Sequence, residues 1–154
     1  YGPLSPELNT SPVTSYGLAK DLLRKELLQL KLEKEFKITW ARLFYMYGEG
    51  QGDGSLYSQF ISAVDRGDKE FNMSKGDQLR DYLHVTDVAK KIVNLAIFQN
   101  NIGNINICSG NPISIRSLVE KWLEERSYEM KLNFGSFSYA EYEPMAFWGE
   151  NSKI

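Results

Sequence analysis

Residues 37–46 read KITWARLFYM and are followed at residues 48–54 by GEGQGDG, a turn with glycine at every second position. The first stretch is rich in β-branched and aromatic residues, which predicts a buried strand. The glycines end that strand, and an apolar stripe then predicts a helix over residues 56–66. A strand that leads into a helix is the repeating unit of an α/β fold.

The same alternation extends in both directions. Upstream, a Pro/Ser/Thr-rich opening at residues 2–15 predicts a surface loop that ends at a helix N-cap, Thr14 or Ser15. That helix is predicted to run to about Lys34. Downstream, the patterns predict an extended piece at residues 70–74, a helix from an N-cap at Thr86 to about Phe98 and a strand at residues 104–108. They then predict a helix capped by Ser114, a last strand at residues 130–134 and an irregular aromatic tail to Ile154. The chain has no strand before its first helix, as in the back part of a doubly wound parallel sheet.

Composition excludes several classes of protein. The chain has 154 residues, with 18 Lys+Arg against 20 Asp+Glu, so its formal charge is −2. The absence of a basic stripe excludes nucleic acid as a partner, and no apolar run reaches the roughly 18 residues of a membrane span. One Cys (Cys108) excludes an intramolecular disulfide, and with one His (His84) it leaves too few soft ligands for zinc. We expect a cytoplasmic protein without a metal. Because the chain begins at Tyr1 rather than Met, we expect it to be part of a longer protein.

The first predicted helix carries more leucines than a helix with one solvent-exposed face needs. A surface helix has a single apolar stripe, whereas these leucines are spread over more of the circumference. We expect this helix to pack on its own sheet with one face and on another subunit with the other. The leucines are Leu18, Leu22, Leu23, Leu27, Leu28, Leu30 and Leu32.

Tyr16 and Lys20 are the residues most suited to chemistry. A phenol is a poor base near pH 7 because its pKa is about 10, but a neighbouring ammonium stabilises the phenolate. Positions i and i+4 share one face of a helix, and the first turn of a helix also favours an anion. The pattern therefore predicts an acid–base pair. The alternative is a surface pair of no consequence, because Tyr-x-x-x-Lys often arises by chance.

The chain resembles the extended short-chain dehydrogenase/reductase superfamily, the NAD-dependent epimerase/dehydratase group that acts on nucleotide sugars. Several blocks match in the family's order: YG at residues 1–2, SYGLAK at 15–20, RLFYMYG at 42–48, RDYLHVTDVA at 80–89, NICSG at 106–110 and NSKI at 151–154. The resemblance implies the last part of a doubly wound Rossmann-type parallel sheet with a small substrate-binding lobe, without the N-terminal strands. It assigns residues 1–48 to the dinucleotide-binding domain and residues 49–154 mainly to the lobe, with residues 80–98 returning to the first domain.

The resemblance also implies roles for individual residues. Tyr16 would exchange a proton with the sugar, and Lys20 would also hold the ribose of NAD or NADP. Phe44 and Tyr45 would contact the cofactor, and Tyr45 with Met46 the sugar. Arg80 would grip the diphosphate, because a guanidinium matches phosphate oxygens; the alternative is a surface ion pair with Asp77 or Asp81.

Other conspicuous residues have simpler interpretations. We expect His84 to be a hydrogen-bonded packing residue, Asp87 a charge in the first turn of a helix and Cys108 a small core residue. The glycines of residues 48–54 lack the spacing of a dinucleotide fingerprint, so a flexible loop is expected there. The aromatic pair Phe147-Trp148 either covers a ligand or caps the core of the lobe.

Two functions follow from these observations. The first is a part of an NAD(P)-dependent nucleotide-sugar enzyme, a 4-ketoreductase or epimerase of deoxysugar or polysaccharide biosynthesis. It would act on a nucleotide-diphospho-sugar and form a homodimer through helix 15–34, as the resemblance implies. The Gly-rich loop and the catalytic Ser/Thr of the family would lie upstream of Tyr1, so these 154 residues by themselves would be inactive. The second is a non-catalytic lobe that only binds a nucleotide sugar or assembles a dimer.

Overall fold

The structure is a computed structural model that describes residues 2–98, 103–140 and 143–151. Tyr1 and the last three residues of the NSKI block therefore lie outside the described residues. Within these ranges, helices and short strands alternate along the chain: β1 (Gly2–Leu4), α1 (Ser15–Glu33), β2 (Thr39–Leu43), β3 (Tyr45–Tyr47), α2 (Leu56–Arg66), β4 (Glu70–Met73), β5 (Leu79–Arg80), β6 (Tyr82–His84), α3 (Val85–Phe98), β7 (Gly103–Ile107), β8 (Ile113–Ser114), α4 (Ile115–Glu125), β9 (Lys131–Phe134) and β10 (Phe147–Gly149).

The strands pair mostly in parallel. β2 lies beside β7, with Thr39 opposite Gly103 and Leu43 opposite Ile107. β1 pairs with β10, β3 with β6 and β4 with β9, all in parallel, whereas β5 and β8 are antiparallel. Parallel neighbours need long crossover connections, which the intervening helices supply. The predicted α/β fold with parallel strands is confirmed.

The predicted helices are present, and their caps explain where three of them begin. The Thr14 hydroxyl accepts a hydrogen bond from the backbone N–H of Gly17 at 3.1 Å, and Ser114 caps α4 in the same way. Helix α2 has the predicted bounds. The prediction that Thr86 is an N-cap is wrong, because β6 ends at His84 and α3 begins directly at Val85. The Thr86 N–H instead donates to Nδ1 of His84 at 3.3 Å.

Three predictions about extended segments need correction. Residues 37–46 do not form one buried strand: the backbone N–H of Phe44 makes a last bond to the Ile107 carbonyl, and β3 then pairs elsewhere. Residues 2–15 are not all loop, because Gly2–Leu4 form β1. The tail is not wholly irregular, because Phe147–Gly149 pair with β1. Strands of three residues are too short to produce a hydrophobic period.

The apolar interior consists of two clusters. The larger lies between α2, β4 and α4 and contains Phe60, Ala63, Phe71, Met73, Ile115, Leu118, Val119 and Trp122. The smaller lies under α3 and contains Val88, Leu95, Ile105 and Ile107, with Ala41, Met46 and Leu83 packed against it. The amphipathic spacing in α2 and α4 points their apolar stripes into the larger cluster. Helix α3 buries Val88 and Leu95 but leaves Ile92, Val93 and Ile97 exposed.

Helix α1 is attached differently. Its one buried residue among the described residues is an acid, Asp21. Six of its seven leucines are exposed, and Leu32 is 80% exposed. The prediction that one leucine face packs on the chain's own sheet is therefore wrong. In the part of the chain that the structure describes, no helix has both the length and the apolarity needed to cross a bilayer.

Candidate functional site

A cavity of about 620 Å³ opens where β1 and β2 end. Leu4, Ser5 and Leu8 come from the end of β1 and the segment after it, and Leu43 and Phe44 from the end of β2. In open parallel sheets, ligands bind outside the carboxyl ends of the strands. We call this space the aromatic cavity; it is lined by Leu4, Ser5, Leu8, Asn9, Arg42, Leu43, Phe44, Tyr45, Asn106 and Phe147.

Aromatic rings form one wall of this cavity. The ring of Phe147 lies 6.4 Å from that of Phe44 and 5.8 Å from that of Tyr45, between centroids. Tyr45 in turn stacks on Tyr82 at 5.2 Å. Burial of Tyr82 raises the pKa of its phenol to about 12, so it remains neutral. The wall is suited to an apolar or planar group, and the Phe147 ring is part of it.

A smaller cavity of about 350 Å³ adjoins the first; we call it the Lys20 cavity. Arg42 lines both cavities, and residues 5–12 separate them, since the first half of this segment lines one cavity and the second half the other. We call residues 5–12 the dividing segment. The Lys20 cavity is lined by Thr10, Ser11, Pro12, Gly17, Lys20, Asp21, Arg24, Trp40 and Arg42.

Tyr16 and Lys20 lie together on α1, as their spacing predicts. The Lys20 ammonium is 5.6 Å from the centre of the Tyr16 ring. Tyr16 is 74% exposed and belongs to the first turn of the helix. The structure therefore presents a phenol and an ammonium side by side. Lys20 also lines the Lys20 cavity, whereas Tyr16 lines neither this cavity nor the aromatic one.

Asp21 follows Lys20 and has three partners. Its carboxylate accepts hydrogen bonds from the Thr10 hydroxyl at 2.6 Å and the Arg24 guanidinium at 3.0 Å, and it pairs with the Lys25 ammonium at 2.8 Å. These bonds, that from Lys25 most of all, hold the pKa of Asp21 well below its usual range. The Asp21 side chain is therefore an anion, and it contacts Thr10 in the second half of the dividing segment.

Arg80 is not in a surface ion pair, so that alternative is wrong. The residue is 3% exposed, and its guanidinium donates to the carbonyls of Leu79 (2.9 Å) and Pro144 (2.7 Å). It also lies 4.7 Å from the centre of the Phe147 ring. Arg80 is thus behind the aromatic wall and separated from the cavity by Phe147.

The neighbouring acid, Asp81, holds backbone segments together. It is fully buried, and its two oxygens accept hydrogen bonds from the N–H groups of Ser109 (2.7 Å), Gly110 (2.9 Å) and Gly149 (3.2 Å). A buried anion needs such donors. Because Gly149 ends β10, these bonds fix the strand that carries Phe147 to the loop after β7.

Several other predictions can be compared with the structure. Cys108 is a buried core residue, and burial raises the pKa of its thiol to about 11. His84 is half-buried, contacts the Thr86 hydroxyl at 2.7 Å and packs edge-on against Tyr47. Asp87 is in the first turn of α3 and pairs with Lys90. These three interpretations are confirmed.

Met46 and Gly48 have packing contacts that the sequence did not predict. Met46 packs against the smaller interior cluster, so the structure does not bring it to the aromatic cavity beside Tyr45. Gly48, at the start of the glycine-rich loop, has φ +139°, and a Cβ there would lie 2.6 Å from Cγ1 of Val85. This glycine allows a close approach of α3, which is a packing role.

Sequence reasoning did not assign a role to Arg42, Asn106 or Asp21. Arg42 donates to the Leu8 carbonyl at 3.2 Å, and the Asn106 amide donates to the Leu4 carbonyl at 2.7 Å. Arg42 and Asn106 are polar residues inside apolar strands, and such residues usually have a specific hydrogen-bonding partner. The identity of that partner depends on long-range contacts that periodicity does not reveal.

Comparison with known proteins gives the family. The profile of the NAD dependent epimerase/dehydratase family matches residues 1–108. The chain belongs to this family. The resemblance inferred from the sequence blocks is confirmed.

Relatives and structures are consistent with this assignment. The chain is 28% identical over 149 residues to a dTDP-6-deoxy-L-talose 4-dehydrogenase (NAD(+)) of Aggregatibacter actinomycetemcomitans, covering 96% of this chain and 55% of that protein. It is 26% identical to a GDP-6-deoxy-D-talose 4-dehydrogenase of the same organism, covering 84% and 43%. The fold matches a UDP-glucose 4-epimerase with UDP-glucose from Thermotoga maritima, with a TM-score of 0.83, 22% identity and coverage of 99% and 50%. The chain thus spans about half the length of the curated relatives that it matches.

Proposed function

We propose that the protein is an NAD(P)-dependent oxidoreductase that reduces or oxidises carbon 4 of a nucleotide-linked 6-deoxy sugar. The observation that carries this proposal is the exposed Tyr16–Lys20 pair. The Lys20 ammonium lies 5.6 Å from the centre of the Tyr16 ring, and Lys20 lines the Lys20 cavity. Family membership supports it, since the matching profile describes NAD-dependent epimerases and dehydratases.

Tyr16 exchanges a proton with the oxygen on the reacting carbon. The Lys20 ammonium lies beside the Tyr16 ring on the same side of α1, so a ligand oxygen brought to the phenol meets both groups. Proton transfer by a positioned side chain contributes about 10²–10⁴-fold to a rate. When bound, the nicotinamide would supply or accept the hydride.

The residues near the pair fit the ribose of such a cofactor. The Lys20 cavity offers the Lys20 ammonium and the Ser11 hydroxyl, donors suited to ribose oxygens. Phe44 and Tyr45 remain the proposed aromatic contacts, because both line the neighbouring cavity. The choice between NAD and NADP is open in this proposal.

The apolar wall favours a sugar that carries a methyl group at carbon 6. Phe44, Tyr45 and Phe147 give apolar surface to the aromatic cavity, and a methyl gains by leaving water whereas a hydroxymethyl leaves a hydroxyl to be satisfied. Both curated relatives described above are named for 6-deoxy sugars. Arg80 remains the proposed diphosphate contact, and this contact requires that Phe147 moves aside. Met46 packs against the interior, so we no longer propose that it contacts the sugar.

The exposed leucines of α1 support a homodimer formed through this helix, and we propose the cytoplasm as its location. Six leucines in contact with water are unfavourable in a monomer, and an exposed apolar patch commonly marks a protein interface. Sedimentation of the protein tests this, and Leu22→Lys should shift the dimer to monomer. The same face supports a second candidate function, a non-catalytic lobe that only assembles.

The test is turnover by the intact protein. It is mixed with NADH or NADPH and a dTDP- or GDP-linked 4-keto-6-deoxy sugar, and the absorbance of the reduced nicotinamide is followed. We expect oxidation of one cofactor, with the product carrying a 4-hydroxyl. Inversion at carbon 4 of the corresponding 4-hydroxy nucleotide sugar, supplied with NAD and with no net change in the cofactor, would assign an epimerase instead. Binding without either reaction would support the non-catalytic lobe and contradict the proposal.

A further inference from the structure

We propose that Asp21 is a positioning residue that fixes the dividing segment, residues 5–12, between the aromatic cavity and the Lys20 cavity. It does so through its hydrogen bond with Thr10, at 2.6 Å. The inference rests on the proposed function only for its kinetic consequence, because the positioning itself is a property of the fold.

The dividing segment has no regular secondary structure but is fastened along its length. Its first turn is closed by the bond from the Leu8 N–H to the Ser5 carbonyl at 3.1 Å. Arg42 of β2 then donates to the Leu8 carbonyl at 3.2 Å, and Thr10 donates to Asp21. Without these bonds, a segment of this kind would have many accessible conformations, and ordering it would cost conformational entropy.

The end of the segment is pressed against α1. A Cβ at Gly17 would lie 3.0 Å from Cβ of Pro12, so glycine permits this close approach. Thr14 then caps the helix through the Gly17 N–H. The dividing segment is therefore bonded to β2 at its middle and packed on α1 at its end. It links β2, whose end lines the aromatic cavity, to α1, which carries Lys20.

Asp21 is well suited to this task. It is the buried residue of α1, and Arg24 and Lys25 hold it as a carboxylate. Hydrogen bonds to a charged acceptor are stronger than neutral ones. The bond from Thr10 is therefore a charge-assisted one, and Asp21 directly follows Lys20 in the chain.

The two halves of the dividing segment face different cavities. Ser5, Leu8 and Asn9 line the aromatic cavity, whereas Thr10 and Ser11 line the Lys20 cavity. Loosening the segment should therefore weaken ligand binding while leaving the Tyr16 phenol on its helix. The expected signature is a higher KM with a smaller change in kcat.

The first experiment measures backbone hydrogen exchange in the intact protein and in the variants Asp21→Asn and Thr10→Val. Both variants should speed exchange of the Leu8 N–H, which donates to the Ser5 carbonyl within the dividing segment, by roughly tenfold, the effect of losing one charged hydrogen bond, while exchange in α4 stays unchanged. Thr10→Ser keeps the hydroxyl and should restore slow exchange. Asp68→Asn, which removes an exposed ion pair with Arg66, is the matched control and should leave residues 5–12 unchanged.

The second experiment measures KM and kcat of the same variants with a 4-keto-6-deoxy nucleotide sugar. A rise in KM of roughly tenfold with little change in kcat supports the positioning role. A fall in kcat alone would mean that Asp21 only maintains the folded fraction, and unchanged exchange in residues 5–12 would overturn the proposal outright. If the unaltered protein turns over no nucleotide sugar while the variants still free the segment, the proposed function fails and the positioning role stands.

Discussion

The interior around Trp122 and the region of α1 are built on different principles. In the first, α2, β4 and α4 bury eight apolar residues among themselves. In the second, a nineteen-residue helix buries an acid, exposes most of its leucines and carries the phenol and ammonium of the proposed site. Elements with few buried apolar contacts lie at the low-stability end of a protein. The contrast indicates that stability and proposed chemistry reside in separate parts of this chain.

The largest expected effect on stability is at Trp122. This residue is 2% exposed, and its ring contacts those of Tyr47, Tyr57 and Phe60 at centroid distances of 5.0–5.6 Å. Trp122→Ala should lower the free energy of unfolding by about 3–5 kcal/mol, through lost burial and a cavity. Urea unfolding of the intact protein measures this. A loss below about 1 kcal/mol would mean that the interior does not dominate stability.

Overpacking at Gly149 should have a smaller effect. A Cβ at this position would lie 2.5 Å from Sγ of Cys108 and 2.9 Å from Cε2 of Phe44. Gly149→Ala should therefore cost about 1–3 kcal/mol, as enforced shifts in a packed core do, and lower the melting temperature. Gly52→Ala is the matched control, because a Cβ there meets nothing within 4 Å. Equal melting temperatures of the two variants would contradict the close packing around β10.

The interior should also respond to alkaline pH. Burial raises the pKa of Cys108 from 9.0 to about 11, so the folded state retains a proton that the unfolded state releases first. The stabilisation is complete below about pH 9 and is lost as the pH rises towards 11. Unfolding free energies at pH 8 and pH 10 should differ less in Cys108→Ala than in the unaltered protein, by at most about 1.4 kcal/mol per pH unit. The same slope in both proteins would show that the thiol is accessible.

The smallest expected effect is on α1. Leu32 is 80% exposed, so Leu32→Ala should change the free energy of unfolding by less than about 0.5 kcal/mol. The measurement is made at protein concentrations at which sedimentation finds a monomer. A loss above 1 kcal/mol would mean that this part of α1 is covered in the intact protein, and the contrast between the two regions would not hold.

Local sequence patterns predicted the helices better than the short strands and the site contacts. Thr14 and Ser114 capped their helices as expected, because a cap depends on residues a few positions apart. The division of residues 37–46 into β2 and β3 was not predictable, because it depends on which distant strand each half pairs with. The contacts of Arg42 with Leu8 and of Asp81 with Gly149 were hidden for the same reason. The proximity of Tyr16 and Lys20 was predictable because it depends on two residues one helical turn apart.

The exchange of a proton by Tyr16 is tested most directly by Tyr16→Phe in the intact protein. The matched control is Tyr128→Phe, whose hydroxyl donates to the Asp68 carbonyl far from α1 in sequence. Turnover of a 4-keto-6-deoxy nucleotide sugar is measured with reduced nicotinamide for both variants. We predict that Tyr16→Phe lowers kcat by roughly 10²–10⁴-fold with little change in KM, whereas Tyr128→Phe retains activity. Unchanged turnover by Tyr16→Phe would contradict the assignment.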